Sequence, residues 1–413
     1  MAHAINNTQK VTRKAVEDLI EMTPFLMHCA RPTEDYFSNN GNAAKPGSGY
    51  TIKRPPRMIT RRGTAMDTQN IVEETVAFEL DALWGVDVEI DDVTRRLEFD
   101  DLNDQLMQPA MEAIGSDMEA NYIRVATLAA SNAVGTPGQA INNDSFYLTA
   151  GDLLTERGFP VSDRLVLASS RQISALVNAN KALFHEGKKI AEQYRTGRIR
   201  GMAHGLLWYE STLLHNFTTG AYGSSTPLVE NGSQSGSTLN SDGWESGQVT
   251  LVQGDVFYVN GMYAVTPQGK VSTGELFPLV LTAGISDTAG DIALPVAPAI
   301  KGPGDPHQNV NALPANNAEI FFQGSNANSP VQNPSTVSKQ GLAFHKNALQ
   351  MVFVRLEDHA DAAISKTATH KATKVSVRFW SGSDIRSGSS LARFDVLAGM
   401  AIPYREGLVR LFN

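Results

Sequence analysis

Charge is sorted along residues 53–104, and that sorting restricts the fold more than anything else in the sequence. The run KRPPRMITRR at 53–62 holds five basic residues (Lys53, Arg54, Arg57, Arg61, Arg62) and no acid. Residues 67–104 hold thirteen acids, among them Glu73, Glu74, Glu79 and Asp81, against Arg95 and Arg96. The two halves attract each other, within one chain or between neighbouring copies. In the acidic half Val76, Phe78 and Leu80 alternate with Ala77, Glu79 and Asp81, and Val86, Val88 and Ile90 alternate with Asp87, Glu89 and Asp91. That is the period of a strand with one apolar face. Pairing GYTIKRPPRMI with ETVAFELDALW across TRRGTAMDTQNIVE gives a long two-stranded loop. Such a ribbon is marginal in water by itself, so it must lie on something else.

The flanking sequence supplies candidates for that support. Residues 11–22 place Val11, Ala15, Leu19 and Met22 on one helical face, and PTEDYFSNNGNAAKPGSG after them reads as an arm crossing a surface. Residues 101–132 read as a long helix with a narrow apolar stripe through Leu102, Leu106, Ala110, Ile114, Met118, Tyr122 and Val125. Pro109 either kinks that helix or opens a second one. From 147 to 222 the pattern is mixed: a helix at 149–157, a strand at 163–169, a helix from Ser170, a polar helix GKKIAEQYRTG, and strands near GLLWYEST. Residues 223–250 shift to Gly, Ser and Asn and mark a boundary. In the β-rich segment that follows, QGDVFYVNGMYAVTP reads as a hairpin turning at Asn260-Gly261, the dipeptide suited to a two-residue turn. The core restarts at GLAFHKNALQMVFVRLE and closes with strands to the C-terminus.

Several chemistries lack their residues. With Cys29 as the one cysteine, no intrachain disulfide or cysteine-based zinc site can form. His185-Glu186 is not followed by the second histidine of a zinc protease. Asp358 to Asp361 with His370 offer ion ligands, though residues of this kind in a polar linker more often form a solvated face. The pairs Asp91-Asp92 and Asp100-Asp101 read as catalytic carboxylates or as helix caps, with Asp100 or Asp101 well placed before Leu102. No phosphate loop, nucleophile elbow or dinucleotide fingerprint occurs, so no enzyme is expected and no cofactor. A net charge of -8 opposes tight binding to nucleic acid. The charged N-terminus lacks a signal-peptide core and no apolar run reaches membrane-spanning length, so neither secretion nor a membrane partner is expected.

The order of these features resembles the major capsid (coat) proteins of short-tailed phages of the Salmonella coat-protein type, within the capsid fold of tailed phages and herpesviruses. GYTIKRPP followed by ETVAFELDALWGVDVEIDDV resembles the family's extended loop and the strand leaving it. DDLNDQLMQPAMEAIGSDMEANYIRVATLAASNAV resembles its spine helix, in Gln108, Ala110, Glu119 and the alanines at 126, 129 and 130. YRTGRIRGMAHGLLWYESTLL is similar to an apical-domain segment, with Gly197, Ile199 and Gly205 at the family's spacing. VTLVQGDVFYVNGMYAVTP is similar to its inserted β-barrel. Residues 285–336, rich in Pro, Asn and Gly, depart from the pattern.

The resemblance implies an α+β fold in six parts: an N-terminal arm at 1–45, an extended loop and peripheral strands at 46–100, a spine helix at 101–135, an apical domain at 136–225, an inserted β-rich domain at 226–338, and a return to the core at 339–413. It implies a virion protein, made in the bacterial host cytoplasm, that assembles as hexamers and pentamers around double-stranded DNA held weakly and non-specifically. A scaffolding protein and a portal protein are the implied partners. Lys53, Arg54, Arg57, Arg61 and Arg62 are expected to meet Glu73, Glu74, Glu79 and Asp81 of a neighbouring copy. A shell protein of a nanocompartment on the same fold, and a β-rich extracellular adhesin or carbohydrate-binding protein, are the alternatives.

Overall fold

The computed structural model describes residues 2–31, 49–61, 63–66, 68–80, 83–91, 102–179, 201–222, 226–247, 249–287, 290–324, 335–358, 364–384 and 389–413. The arm at 32–48, the polar helix at 187–197, His185, Asp92, Asp100, Asp101 and His359 to Asp361 lie outside these residues. The chain divides into two compact units. One comprises 1–53, 75–122 and 349–403, the other 54–74, 123–348 and 404–413.

In the first unit, Gly49–Lys53 pairs antiparallel with Thr75–Glu79 in the register Tyr50↔Phe78 and Ile52↔Val76. Ile52 and Phe78 bury their side chains with Val352 and Ala401, which seats the ribbon's base on a core. The ladder stops at Lys53 because Pro55 and Pro56 follow. The strand Leu83–Asp91 pairs with Ser389–Ala401, which also pairs with Ser376–Asp384 and Gln350–Val354. Asp91 therefore ends a strand rather than capping a helix.

The spine is one uninterrupted helix, Leu102–Ala129, with Pro109 inside it. Its buried face is broader than the narrow stripe expected from the sequence. Met107 and Met111 lie buried beside Ala110, Ile114, Met118 and Tyr122, so two adjacent rows are covered. That face also buries Glu119, whose Oε1 accepts a hydrogen bond from the Phe25 N–H at 3.4 Å. Burial pushes this carboxyl up to about 8, and the Phe25 bond only partly opposes the rise. The amphipathic helix read at 11–22 is the end of a longer one, Ala2–Met22.

The second unit contains a six-stranded mixed sheet in the order Asn132–Val134, Leu408–Leu411, Gly341–His345, Arg164–Ala168, Leu206–Glu210, Met202–Ala203. The helices Asp144–Glu156 and Ser170–Ala179 cover it through Tyr147, Leu154, Ile173 and Leu176. The first begins earlier than the pattern suggested because Asn143 caps it, accepting from the Ser145 N–H at 3.2 Å.

The same unit carries the inserted barrel. Its strands run in the order Leu228–Val229, Gly236–Asp242, Ile292–Ile300, Ser272–Leu281, Val256–Val265, Ile320–Phe322. Bonds from Val229 N–H to Ala318 O and from Ile320 N–H to Pro227 O, both 2.9 Å, join the first strand to the last and close the sheet on itself. Leu239, Phe257, Val259, Leu279, Leu294 and Phe322 fill the interior. The polar segment read as a boundary at 223–250 carries the first barrel strands, Leu228–Val229 and Gly236–Asp242, in which Leu239 and Ser241 are buried on either side of exposed Asn240. The residues around Asn260-Gly261 are not a hairpin turn. Val256–Val265 is one strand with a register shift between Tyr258 and Tyr263 and Gly261 at φ +82°, as in a β-bulge. The chain reverses at 266–271, where Thr266 N–H bonds Val271 O at 2.9 Å and Lys270 N–H bonds Thr266 O at 3.0 Å.

A buried cation ties the barrel to the closing strand. Arg410 is fully buried; its Nε donates to Gln340 Oε1 at 2.7 Å and its Nη1 to Gly254 O, and the guanidinium lies 4.5 Å from the Phe217 ring centre and 4.8 Å from that of Phe412. Burial lowers the guanidinium to about 9 and Asp255 opposes that fall. Asp255 in turn accepts from the N–H groups of Gly220 and Val252. Arg410→Met leaves these acceptors and Asp255 without their cation, so we expect a loss of about 3 kcal/mol in urea unfolding at pH 7. Glu119→Gln should act in the opposite direction. A carboxyl raised in the folded state contributes stability that is complete below about pH 4.5 and is lost as pH rises through about 8. The variant should therefore melt higher than wild type at pH 8 and alike at pH 4, as scanning calorimetry can read.

Candidate functional site

The segment between the paired strands, residues 54–74, is an exposed loop rather than a continued ladder. Met58, Ile59, Met66, Ile71 and Val72 all present apolar side chains to solvent, Met66 at 84% exposure. A cluster of such residues in one short segment marks an interaction surface. Local bonds shape the loop. Ile59 N–H donates to Gln69 Oε1 at 2.8 Å, Gln69 Nε2 returns a bond to Ile59 O, and Arg61 Nη1 donates to the carbonyls of Gly63 and Ala65.

The root of the loop is built around Glu74. Arg54 N–H donates to Glu74 O at 2.8 Å, and Arg54 Nη1 donates to Glu74 Oε2 at 2.9 Å. Lys301 Nζ, from the segment after the barrel strand Ile292–Ile300, bonds Glu74 Oε1. His307 adds a second barrel contact: its Nε2 lies 3.0 Å from Val72 O and its Nδ1 3.8 Å from Glu74 Oε2. A carbonyl only accepts, so Nε2 carries a proton and donates to it. On the other side Arg54 Nη2 lies 3.6 Å from Glu406 Oε2, and its guanidinium stacks 5.0 Å from the Tyr404 ring centre. Burial raises the Glu74 carboxyl, but the hydrogen bonds from Lys301 and Arg54 outweigh it and hold the group at about 2.

The nine residues expected to form contacts between copies fall into different places. Arg54 and Glu74 meet each other within one chain. Lys53 ends its strand, Glu73 is exposed beside the root, and Arg57 lines a small cavity with Arg157, Tyr404 and Glu406. Arg61 folds over the loop's own carbonyls. Glu79 stands opposite Gly49 in the ladder, while Arg62 and Asp81 lie outside the described residues. Sequence reading missed Lys301 and His307. GPGDPHQNVNALPANN reads only as a break in the β pattern, and nothing in it signals a partner 227 or 235 residues upstream.

The first unit carries a separate surface. A cleft of about 540 Å³ opens on the sheet face between Asp87, Glu89, Trp380, Gly382, Leu391 and Arg393. Arg393 Nε bonds Asp395 Oδ1 at 2.6 Å and lies 3.4 Å from Asp87 Oδ1. Exposed Leu391 and the acids make the cleft part apolar and part anionic. Among the described residues, no group of three or more His, Cys, Asp or Glu residues could hold a metal ion. Asp358 accepts from Thr367 Oγ1 at 2.9 Å and His370 Nδ1 is bonded to Thr373; His359 and Asp361 of that candidate set lie outside the described residues. No described helix is long and apolar enough to cross a membrane.

The described residues thus present an exposed apolar loop with a bonded root, a long helix and a closed barrel, with no group of residues that could hold a metal ion. The family model described as "P22 coat protein - gene protein 5" matches residues 3–407, and the chain belongs to that family. By that membership it is a major capsid protein, not an enzyme; its copies form an icosahedral shell and it resides in the virion.

Among solved structures, a Mycobacterium phage Che8 chain aligns at 12% identity, TM-score 0.45, over 93% of this chain and 89% of that one. A cyanophage P-SCSP1u capsid chain aligns at 12% identity, TM-score 0.45, over 93% and 88%. The CUS-3 coat protein I-domain aligns at 22% identity and TM-score 0.20 over 25% of this chain and all of that one. No curated protein matches. The assignment rests on the family model, and it displaces the extracellular binding protein as a reading.

Glu74 sets a testable pH dependence. A carboxyl lowered in the folded state contributes stability that is present above about pH 4.5 and is lost as pH falls toward 2. Glu74→Gln should cost about 2 kcal/mol at pH 7, with allowance for partial solvent screening. The gap to wild type should narrow between pH 5 and pH 3 in denaturant titrations.

Proposed function

We propose that the loop at 54–74 carries the contact between neighbouring copies in hexamers and pentamers. The carrying observation is the set of five exposed apolar side chains on a segment whose root is anchored. Stable obligate contacts bury roughly 2,000 Å² or more, and apolar area supplies most of their free energy. Arg54 and Glu74 are engaged within the chain, so the charge contact between copies falls to Arg57, Arg61 and Arg62 against acids of a neighbour such as Glu73, Glu79 and Asp81. Exposed pairs of this kind contribute about 0–1 kcal/mol each and fix orientation more than affinity.

The six-part division at 1–45, 46–100, 101–135, 136–225, 226–338 and 339–413 is our functional reading of the chain. Family membership supports a scaffolding protein during assembly, a portal at one vertex, and synthesis in the host cytoplasm. The chain's net charge of -8 supports a wall that touches packaged DNA weakly, which favours filling and emptying.

Expression alone and with a scaffolding protein, followed by negative-stain microscopy and sedimentation, tests this reading. Closed shells of fixed size are expected for wild type. Arg61→Glu with Arg62→Glu should reduce their yield several-fold, and replacing Met58 and Met66 by Ser should reduce it further. Shells formed at wild-type yield by both sets of variants would remove the loop from the interface.

A further inference from the structure

We infer that the inserted barrel positions the assembly loop, with Lys301 and His307 acting as positioning residues that hold the loop root at Glu74 and Val72. This rests on the reading of 54–74 as the contact between copies and adds what aims it. The ribbon that precedes the loop has its ladder in one unit, yet the loop residues themselves belong with the barrel. Two strands alone would leave a long exposed connection free to swing. Here Arg54 from across the loop root and Lys301 and His307 from distant sequence converge on one carboxylate, and a bond from His307 to Val72 O fixes the backbone two residues earlier.

The gripping segment is itself braced. Lys301 N–H donates to Asn309 Oδ1 at 2.8 Å, Asn309 Nδ2 to Ala299 O at 2.7 Å, and His307 N–H to Asp305 Oδ1 at 2.7 Å. Lys270 Nζ donates to Pro306 O at 2.7 Å from the barrel's reversing turn. The segment after the barrel strand is thus tied to the barrel, and its Lys301 ammonium and His307 imidazole both reach the loop. The barrel core does not use them, being closed by backbone bonds and apolar packing. Removing the Lys301 ammonium should therefore release the loop and leave the barrel folded.

The experiment uses the full-length chain as Lys301→Met and Lys301→Arg, with Met66→Ser as a variant of the loop tip. Amide exchange and shell yield by microscopy are measured on each. For Lys301→Met we expect exchange at Arg54 to quicken at least tenfold, exchange in Val256–Val265 to stay as in wild type, and shell yield to fall at least threefold. Lys301→Arg, which keeps the cation, should restore both loop protection and yield. The inference is overturned if Lys301→Met keeps wild-type protection at Arg54, if it loosens the barrel strand equally, or if it assembles normally while Met66→Ser does not. Normal assembly by Met66→Ser as well would instead defeat the reading of the loop as the contact between copies, so the two failures are distinguishable.

Discussion

The bond network at Glu74 is the constraint on which the functional part of this structure depends. Two five-residue strands give the loop its base, and prolines end the ladder just where the loop begins. Among the described residues beyond that point, one backbone bond, from Arg54 N–H to Glu74 O, still crosses the ribbon. Order then passes to one carboxylate that collects Arg54, Lys301 and His307. Hydrogen bonds from charged groups are stronger than neutral ones, and partial burial at the root shields them from salt. The apolar tip can then remain exposed because its direction is fixed elsewhere.

Much of this fold was legible because it follows simple periods. The alternation of Val76, Phe78 and Leu80 predicts the strand that pairs with Gly49–Lys53, and the buried face of that strand is the predicted one. The long helix is equally visible, although its second buried row at Met107 and Met111 was not, since methionines in a mixed pattern do not mark a face unambiguously. The Asn260-Gly261 pair misled because the same positive φ that makes a two-residue turn also makes a bulge. Local sequence does not choose between them. The choice is made by the partner strands, Ser272–Leu281 on one side and Ile320–Phe322 on the other.

The candidate site was half legible for a related reason. Charge sorting put Arg54 and Glu74 among nine residues expected to meet between copies, whereas these two meet within one chain; attraction between opposite charges does not say which of the two occurs. The lysine and histidine that complete the root come from a stretch with no period at all, more than 220 residues away in sequence. Only closure of the barrel brings them there. A long-range site assembled by topology leaves its signal in three-dimensional contacts and not in spacing.

Two kinds of buried charge therefore serve this protein differently. Arg410 is sunk among Phe217, Phe412 and Gln340 with Asp255 behind it, where desolvation opposes both ions and an apolar replacement of the whole set could be as stable. Its bond to the Gly254 carbonyl ties the closing strand to the backbone just before the barrel strand Val256–Val265. Glu74 keeps partial contact with water, so its cations lower its free energy without a full desolvation cost. A buried pair suits a joint that forms once during folding. A half-exposed pair suits the root of an exposed loop, and on our proposal that this loop carries the contact between copies it can hold a direction and still adjust.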